Sequence, residues 1–481
     1  MVDDRMTADS PLDDPTGAEG VAPEVGEGVP QQPADENSGG DERSVEPGGR
    51  IPRPQPLGAF PLPAGLLLVT GEGSDEVRRQ LLAGHRPAVW PESLKGVELA
   101  YADDLEAAAD IFARDAASDP AAFYNLFVLS PEMVDRPALV EALGDEWRPL
   151  VDTLAYMYGL TSVIPAAGEA GGEIAAVAAS AQAGAAVEEG REAEALRHLR
   201  AAATAAQGVN PPYEGILRAE IASRTGSLTE ADAAVALLAD TDLTAAYAEA
   251  RYQQASLIHE LAMAGKRPIA DAIAGYTDAL SRISETDYPP LFARLHFNLG
   301  TAYLAAPVTS RQDQLRAALA VQSLRTAVRL LEQEEEEPPE WAAATLNLAN
   351  ALVYAPSGHQ RDNLMEAVDL YETVLRVRST RFDPAGRARV LSNQATALSH
   401  LGLFGDALAR FGEAEEIFHL LGDEAAAKVA HEGRENAAAG KAPELIPDEE
   451  SDGGESDPTI GAQPHSAGKT PADEPGEAPA L

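Results

Sequence analysis

The chain has 481 residues and a formal net charge of −42, from 36 Lys and Arg against 78 Asp and Glu. Excess negative potential opposes the phosphate neutralisation on which nucleic-acid affinity rests, so neither nucleic acid nor an anionic membrane is an expected partner. The absence of cysteine removes disulfides, thiolate nucleophiles and Cys-ligated zinc or iron–sulfur sites.

Residues 1–56 hold 13 acidic and 4 basic side chains among many Pro and Gly. Such a segment has too little apolar surface to offset its ordering entropy and is expected to be a disordered acidic tail. Met1 to Asp14 lacks the positive charge and apolar run of a secretion signal, and no stretch approaches the ~20 apolar residues of a membrane span. A cytoplasmic location in a reducing compartment follows as the expectation.

Residues 57–165 read as a mostly helical N-terminal domain. Leu105, Ala108, Ala109 and Phe112 recur at helical spacing between Tyr101 and Ala117. Asp119-Pro120 and Ser130-Pro131 have the form of caps with Pro in the first turn, and predict two further helices. The apolar run from Leu66 to Thr70 has the length of one strand. This segment carries 17 acidic and 7 basic side chains, which argues against a DNA-reading helix and hence against a transcriptional regulator.

From about Gly171 to residue 440 the chain becomes Ala-rich and periodic. A small residue that lets helices approach closely recurs at Ala183, Ala219, Ser256, Gly300, Ala349 and Ala395, at spacings of 36, 37, 44, 49 and 46. Each is followed by Ala, a bulky group four residues on and an apolar group three beyond that. These read Ala195-Leu199-Ala202, Ala231-Val235-Leu238, Ala272-Tyr276-Ala279, Ala320-Leu324-Ala327, Ala367-Tyr371-Val374 and Ala407-Phe411-Ala414. Such spacing puts each trio on one helical face, so the pattern predicts an all-α fold, an α-solenoid of about six helix hairpins. The fourth trio is phased on Ala320 rather than Ala318, which would place Gln322 in the bulky slot. The distance from small residue to Ala predicts insertions of 0, 0, 4, 8, 6 and 0 residues in the turns inside the hairpins. Glu424 to Asn436 is expected to cap the open end. Residues 441–481, with 10 acidic and 2 basic side chains, read as a second disordered tail.

Asn298-Leu299-Gly300-Thr301-Ala302-Tyr303 and Ala407, Phe411 and Ala414 resemble the two halves of the tetratricopeptide repeat. The long turns Ala306 to Arg311 and Ala355 to Arg361 look like those of bacterial extended-loop members. The likeness covers roughly Ala176 to Leu420, with His259 standing in a Tyr slot. Beside the packing stripe of the last three first helices runs a polar one: Arg294-Asn298-Thr301, Ala343-Asn347-Asn350-Tyr354 and Arg389-Asn393-Thr396-His400. Related repeat proteins grip extended peptides in a groove lined by first helices. By that resemblance Asn298, Asn347 and Asn393 would hold a peptide main chain, because an amide donates and accepts at once. Thr301, Asn350 and Thr396 share the stripe, and Arg294 and Arg389 would meet a carboxylate. The competing reading is that the asparagines bridge adjacent repeats or face water.

No cofactor or metal is expected. Gly71-Glu72-Gly73 lacks the remainder of any phosphate-binding fingerprint, and no Gly-x-Ser-x-Gly elbow occurs. Glu416 and His419 make a single Glu-x-x-His where a di-iron bundle needs two. The acidic run Glu332 to Glu337 reads as a solvated helix end. The chain is therefore expected to be a non-catalytic scaffold or adaptor with a protein or peptide partner; no motif sets its oligomeric state. The alternatives are that residues 57–165 form an enzyme or small-molecule sensor, with a deep pocket near Asp103, Asp104, Tyr124 or Tyr158, or that the protein is an assembly accessory of a larger enzyme complex.

Overall fold

The computed structural model describes residues 51–306, 311–332, 339–354, 358–377 and 383–443. Most of both tails, the run from Gln333 to Pro338, most of the first long turn and residues 355–357 of the second lie outside the described residues. Within them the protein is all-helical, with no strand, and no helix is long and apolar enough to cross a membrane.

Six short helices come first: α1 (Ser74–Leu82), α2 (Lys95–Tyr101), α3 (Leu105–Asp115), α4 (Pro120–Leu129), α5 (Arg136–Leu143) and α6 (Arg148–Met157). Asp104 and Asp119 cap α3 and α4 by accepting from Ala107 and Ala121 N–H groups at 3.3 and 2.9 Å. The helix expected after Ser130 starts later. Pro131–Met133 is a single 3-10 turn without a side-chain cap, and Asp135 caps α5 through the Ala138 N–H at 2.8 Å.

The expected strand at Leu66–Thr70 is also corrected. Ala64–Leu66 is a 3-10 turn, and the buried residues Leu67 to Val69 run extended with no strand beside them. Side chains supply the pairing instead. Asn125 accepts from the Leu68 N–H at 2.8 Å and donates to its carbonyl at 2.9 Å. Gln55 accepts from the Val69 N–H at 3.0 Å, and the Tyr124 hydroxyl donates to the Leu66 carbonyl at 3.0 Å. Buried backbone groups must be satisfied, and here amides from α4 and the leading segment do what a second strand would.

Residues 51–56, expected to belong to the tail, are part of this packing. Gln55 is fully buried, its N–H donates to Glu173 at 3.2 Å, and Arg53 pairs with Glu173 at 3.5 Å while lying 4.0 Å over the Trp147 ring. One apolar core runs without a break from Leu57 to Ala250, so the short helices and the first hairpins form one packed body.

The hairpins are α7 (Gly172–Glu188) with α8 (Glu192–Ala206), α9 (Pro211–Thr225) with α10 (Leu228–Leu238), α11 (Thr244–Met263) with α12 (Ile269–Leu280), α13 (Pro289–Ala305) with α14 (Arg311–Leu331), α15 (Pro339–Tyr354) with α16 (Gln360–Val377), and α17 (Pro384–His400) with α18 (Phe404–Leu421). Each packs on the next, and α19 (Glu424–Ala438) covers the last. From α9 onward the first helices also touch one another, to a degree no pair of consecutive second helices matches, so the first helices form the inner layer of a solenoid.

The repeat trios are the core. All eighteen side chains are buried except Val235, which is half-buried while Ala234 next to it is fully buried. The Ala320 phasing holds, because Ala320, Leu324 and Ala327 are fully buried and Ala318 and Gln322 are exposed. Much of the inserted length is helix rather than turn. Ala320 is the tenth residue of α14 and Ala367 the eighth of α16, whereas Ala407 is the fourth of α18. Burial at the helix crossing fixes the small and Ala positions, and in the fourth and fifth hairpins the extra residues extend the second helix at its N-terminal end, whereas in the third, Ala272 is still the fourth residue of α12.

Gly300 marks the tightest such crossing. A Cβ there would lie 2.6 Å from Leu324 Cγ. Ala is favoured over Gly inside a helix by roughly 1 kcal/mol, but overpacking a filled core costs about 1–3 kcal/mol. Gly300→Ala should therefore lower the unfolding free energy in urea melts, and a stabilised variant would show that the crossing is loose.

Candidate functional site

The inner layer brings the predicted polar stripe together, and mostly uses it to tie one first helix to the next. Asn298 Nδ2 on α13 donates to the Tyr252 hydroxyl on α11 at 3.0 Å. Asn347 Nδ2 on α15 reaches Thr301 Oγ1 on α13 at 3.5 Å. Asn393 Nδ2 on α17 donates to Asn350 Oδ1 on α15 at 3.0 Å, and the same oxygen accepts from the Tyr371 hydroxyl at 2.7 Å. Three successive junctions between first helices thus carry one amide bridge each. The bridging asparagines are half-buried.

Each bridge spends one N–H. The carbonyl oxygens of Asn298, Asn347 and Asn393 accept nothing from the described residues, and each amide keeps a second N–H. What the row offers a ligand is therefore an acceptor and a donor per repeat, at positions fixed by the bridge. Asn350 differs, since its oxygen is already doubly occupied. Thr301 is 3 % exposed and donates to the Phe297 carbonyl at 2.8 Å; Thr396 does likewise to Ser392 at 3.1 Å. Both hydroxyls donate within their own helices, and Thr301 Oγ1 also accepts the Asn347 bridge.

The two arginines part company. Arg294 pairs with Glu249 of α11 at 3.0 Å and lies 5.2 Å over the Tyr252 ring, so its charge is already met within the fold. Arg389 is exposed and makes no ion pair with any described residue.

Glu249 leads to a feature the stripe did not reveal. It lines, with Leu199, Tyr213, Ile216, Leu217 and Ala246, a cavity of about 330 Å³ between α7, α9 and α11. Gln253 donates to Glu249 at 3.0 Å on the same wall. The Tyr213 and Ser180 hydroxyls share a hydrogen bond of 2.7 Å, and burial pushes the Tyr213 phenol up to about 12, so it stays neutral. Burial likewise raises the Tyr252 and Tyr371 phenols. The lining is mostly apolar with a few polar groups, and the Glu249–Arg294 pair joins this cavity to the asparagine row. Nothing in the first two repeats signalled it, because their Ala-rich helices carry no polar periodicity.

A second cavity of about 450 Å³ lies at the other end of the solenoid, where Glu416 and His419 face Arg434. No group of three metal-ligating side chains converges among the described residues. Around the positions suggested for a sensor pocket, Tyr124 bonds to Leu66, the Tyr158 hydroxyl donates to the Val128 carbonyl at 2.5 Å, and Asp104 caps α3. Neither cavity is lined by them.

Compared with known proteins, the chain matches no family model and no curated sequence, so geometry alone carries the functional reading.

Burial lowers the pKa of three histidines on the inner helices, His259, His296 and His400, and the first two are the more deeply buried. His259 is 6 % exposed with Nδ1 3.4 Å from the Tyr276 hydroxyl, and His296 stacks 4.7 Å from Phe292; each has a buried, unpartnered ring nitrogen. Burial lowers both below the usual imidazole value. The unfolded chain takes up these protons first, so stability should fall as pH drops below about 6.5. Urea melts at pH 7.5 and 5.8 should show the loss, and His259→Gln with His296→Gln should reduce it, leaving the share of His400. An unchanged slope would place the sensitivity elsewhere.

Proposed function

We propose that this protein is a non-catalytic, cytoplasmic interaction scaffold of tetratricopeptide type, whose inner layer of first helices holds an extended segment of a partner protein. The observation that carries the reading is the row of three bridged amides with unused carbonyl oxygens, one per repeat. An extended peptide presents N–H and C=O groups alternately along its length, and a fixed acceptor beside a fixed donor suits such a ligand. Bridging to a neighbouring helix removes the rotamer freedom that a free asparagine would lose on binding, which favours recognition by preorganisation. The mostly apolar cavity at the far end of the row would accept one side chain of the same segment.

Asparagines kept only as bridges and asparagines kept for a ligand respond differently to truncation. Asn347 makes the weakest bridge, at 3.5 Å, so it is the position where the two roles separate best. A net hydrogen bond contributes about 0.5–1.5 kcal/mol, and a lost ligand contact of that size weakens binding up to about tenfold. Asn347→Ala should leave the melting temperature within a degree or two and weaken partner capture severalfold, whereas Asn393→Ala should lower both. Capture can be read with partner peptides selected on the unaltered protein from a displayed random library. Selected peptides that bind Asn347→Ala and the parent equally would remove the groove assignment.

A further inference from the structure

The cavity between α7, α9 and α11 is one-sided in its chemistry. Its volume is about 330 Å³, and the buried side chains of Leu199, Leu217 and Ala219 give it apolar walls. Its polar lining consists of Ser180, Tyr213, Glu220, Ser223, Glu249 and Gln253, with no Lys, Arg or His.

The directions of the hydrogen bonds make these groups mostly acceptors. A serine hydroxyl has one proton, and that of Ser180 goes to the Ala176 carbonyl at 2.9 Å. The Tyr213 hydroxyl therefore donates across the 2.7 Å contact to Ser180, which leaves the Tyr213 oxygen as an acceptor. Gln253 uses one N–H on Glu249 at 3.0 Å, and its carbonyl oxygen accepts nothing among the described residues. The donors that remain are the second Gln253 N–H and the Ser223 hydroxyl, and neither carries charge.

Charge is unbalanced in the same sense. Arg294 matches Glu249 at 3.0 Å. Arg224, however, is shared: its Nε donates to Glu220 at 2.7 Å and its Nη1 to both oxygens of Glu192 at 3.0 Å. Within that trio two carboxylates face one guanidinium, and Glu220 keeps 46% of its side chain exposed. Free acceptors and an uncancelled carboxylate beside buried apolar walls fit a group with an alkyl stem and a cationic tip that only donates.

We propose that this cavity is the anchor site for a Lys or Arg side chain of the partner segment, with its methylenes against Leu199 and Leu217 and its charged tip on Glu220. The inference rests on the groove reading above and names the side chain which that reading left open. A chain of net charge −42 also draws a basic ligand toward itself before contact, and salt weakens that attraction.

The probe is n-butylammonium, a lysine side chain without its backbone, with n-butanol as its neutral match. In the full-length protein, the methyl NMR signals of Ala246 and Leu217, which line the cavity, are followed during titration at constant ionic strength. Saturable shifts at both residues are expected, with butylammonium binding about three- to tenfold more tightly than butanol. Glu220→Gln should abolish that preference while Arg224 keeps Glu192, and Ala246→Phe, which fills the cavity, should abolish binding of both probes. Butanol binding as tightly as butylammonium overturns the inference, as does a preference that survives Glu220→Gln or the lack of any saturable shift. Peptides selected on the unaltered protein should carry a Lys or Arg whose replacement by norleucine weakens capture about threefold or more, and leaves capture by Glu220→Gln unchanged. Selected peptides without a basic residue overturn the assignment to a partner. Asn347→Ala should leave the butylammonium preference intact, so the cavity and the asparagine row fail separately.

Discussion

Helix crossings in this protein are set by what the side chain at the crossing leaves room for. A Cβ on Gly300 would meet Leu324 at 2.6 Å, on Gly275 would meet Ala255 at 2.7 Å, on Gly215 would meet Leu238 at 2.9 Å and on Gly433 would meet the Phe411 ring at 2.6 Å. Interiors are close-packed, so each contact fixes how near the two axes come. No hairpin buries its apolar face by itself. Stacking does so, and in the stack consecutive first helices touch one another to a degree that consecutive second helices do not. Those crossings join the two helices of a hairpin, and the last hairpin to α19, and so fix the unit that stacks.

Proximity in the inner layer is what makes its polar side chains functional candidates. Tyr252, Asn298, Thr301, Asn347, Asn350 and Asn393 span three helix junctions only because neighbouring first helices lie within reach of a short amide. Asparagine is unfavourable inside a helix, since its amide competes for backbone groups. A bridge to a neighbouring helix ends that competition and leaves the carbonyl oxygen without a donor among the described residues. The same residue thereby strengthens the stack and presents a fixed acceptor, which is why truncation at a strong bridge and at a weak one should differ.

At the N-terminal end the solenoid is closed by a body with a different logic. Glu173, at the start of α7, is 2 % exposed and holds Arg53 and the Gln55 backbone, while Asn210 caps α9 and donates to the Leu57 carbonyl at 3.0 Å. Burying a carboxylate is costly unless it is paired and hydrogen-bonded, and here both conditions are met by a segment that composition alone assigns to a disordered tail. Compositional reading averages over the stretch 1–56 and cannot see that Arg53 and Gln55 have a specific partner, Glu173, more than a hundred positions away.

The repeat itself was legible because packing across a helix crossing imposes a spacing on residue type: the trios, the Ala320 phase and the capping helix all follow from one periodicity. The positions of the asparagines were legible for the same reason. What tertiary structure alone decided is where partners at long separation meet. The pairing of Leu68 by Asn125, the neutralisation of Arg294 by Glu249 while Arg389 has no ion pair among the described residues, and the cavity around Tyr213 depend on contacts between elements with no fixed separation in sequence. Periodicity reports the face a residue occupies; only the folded chain determines what that face meets.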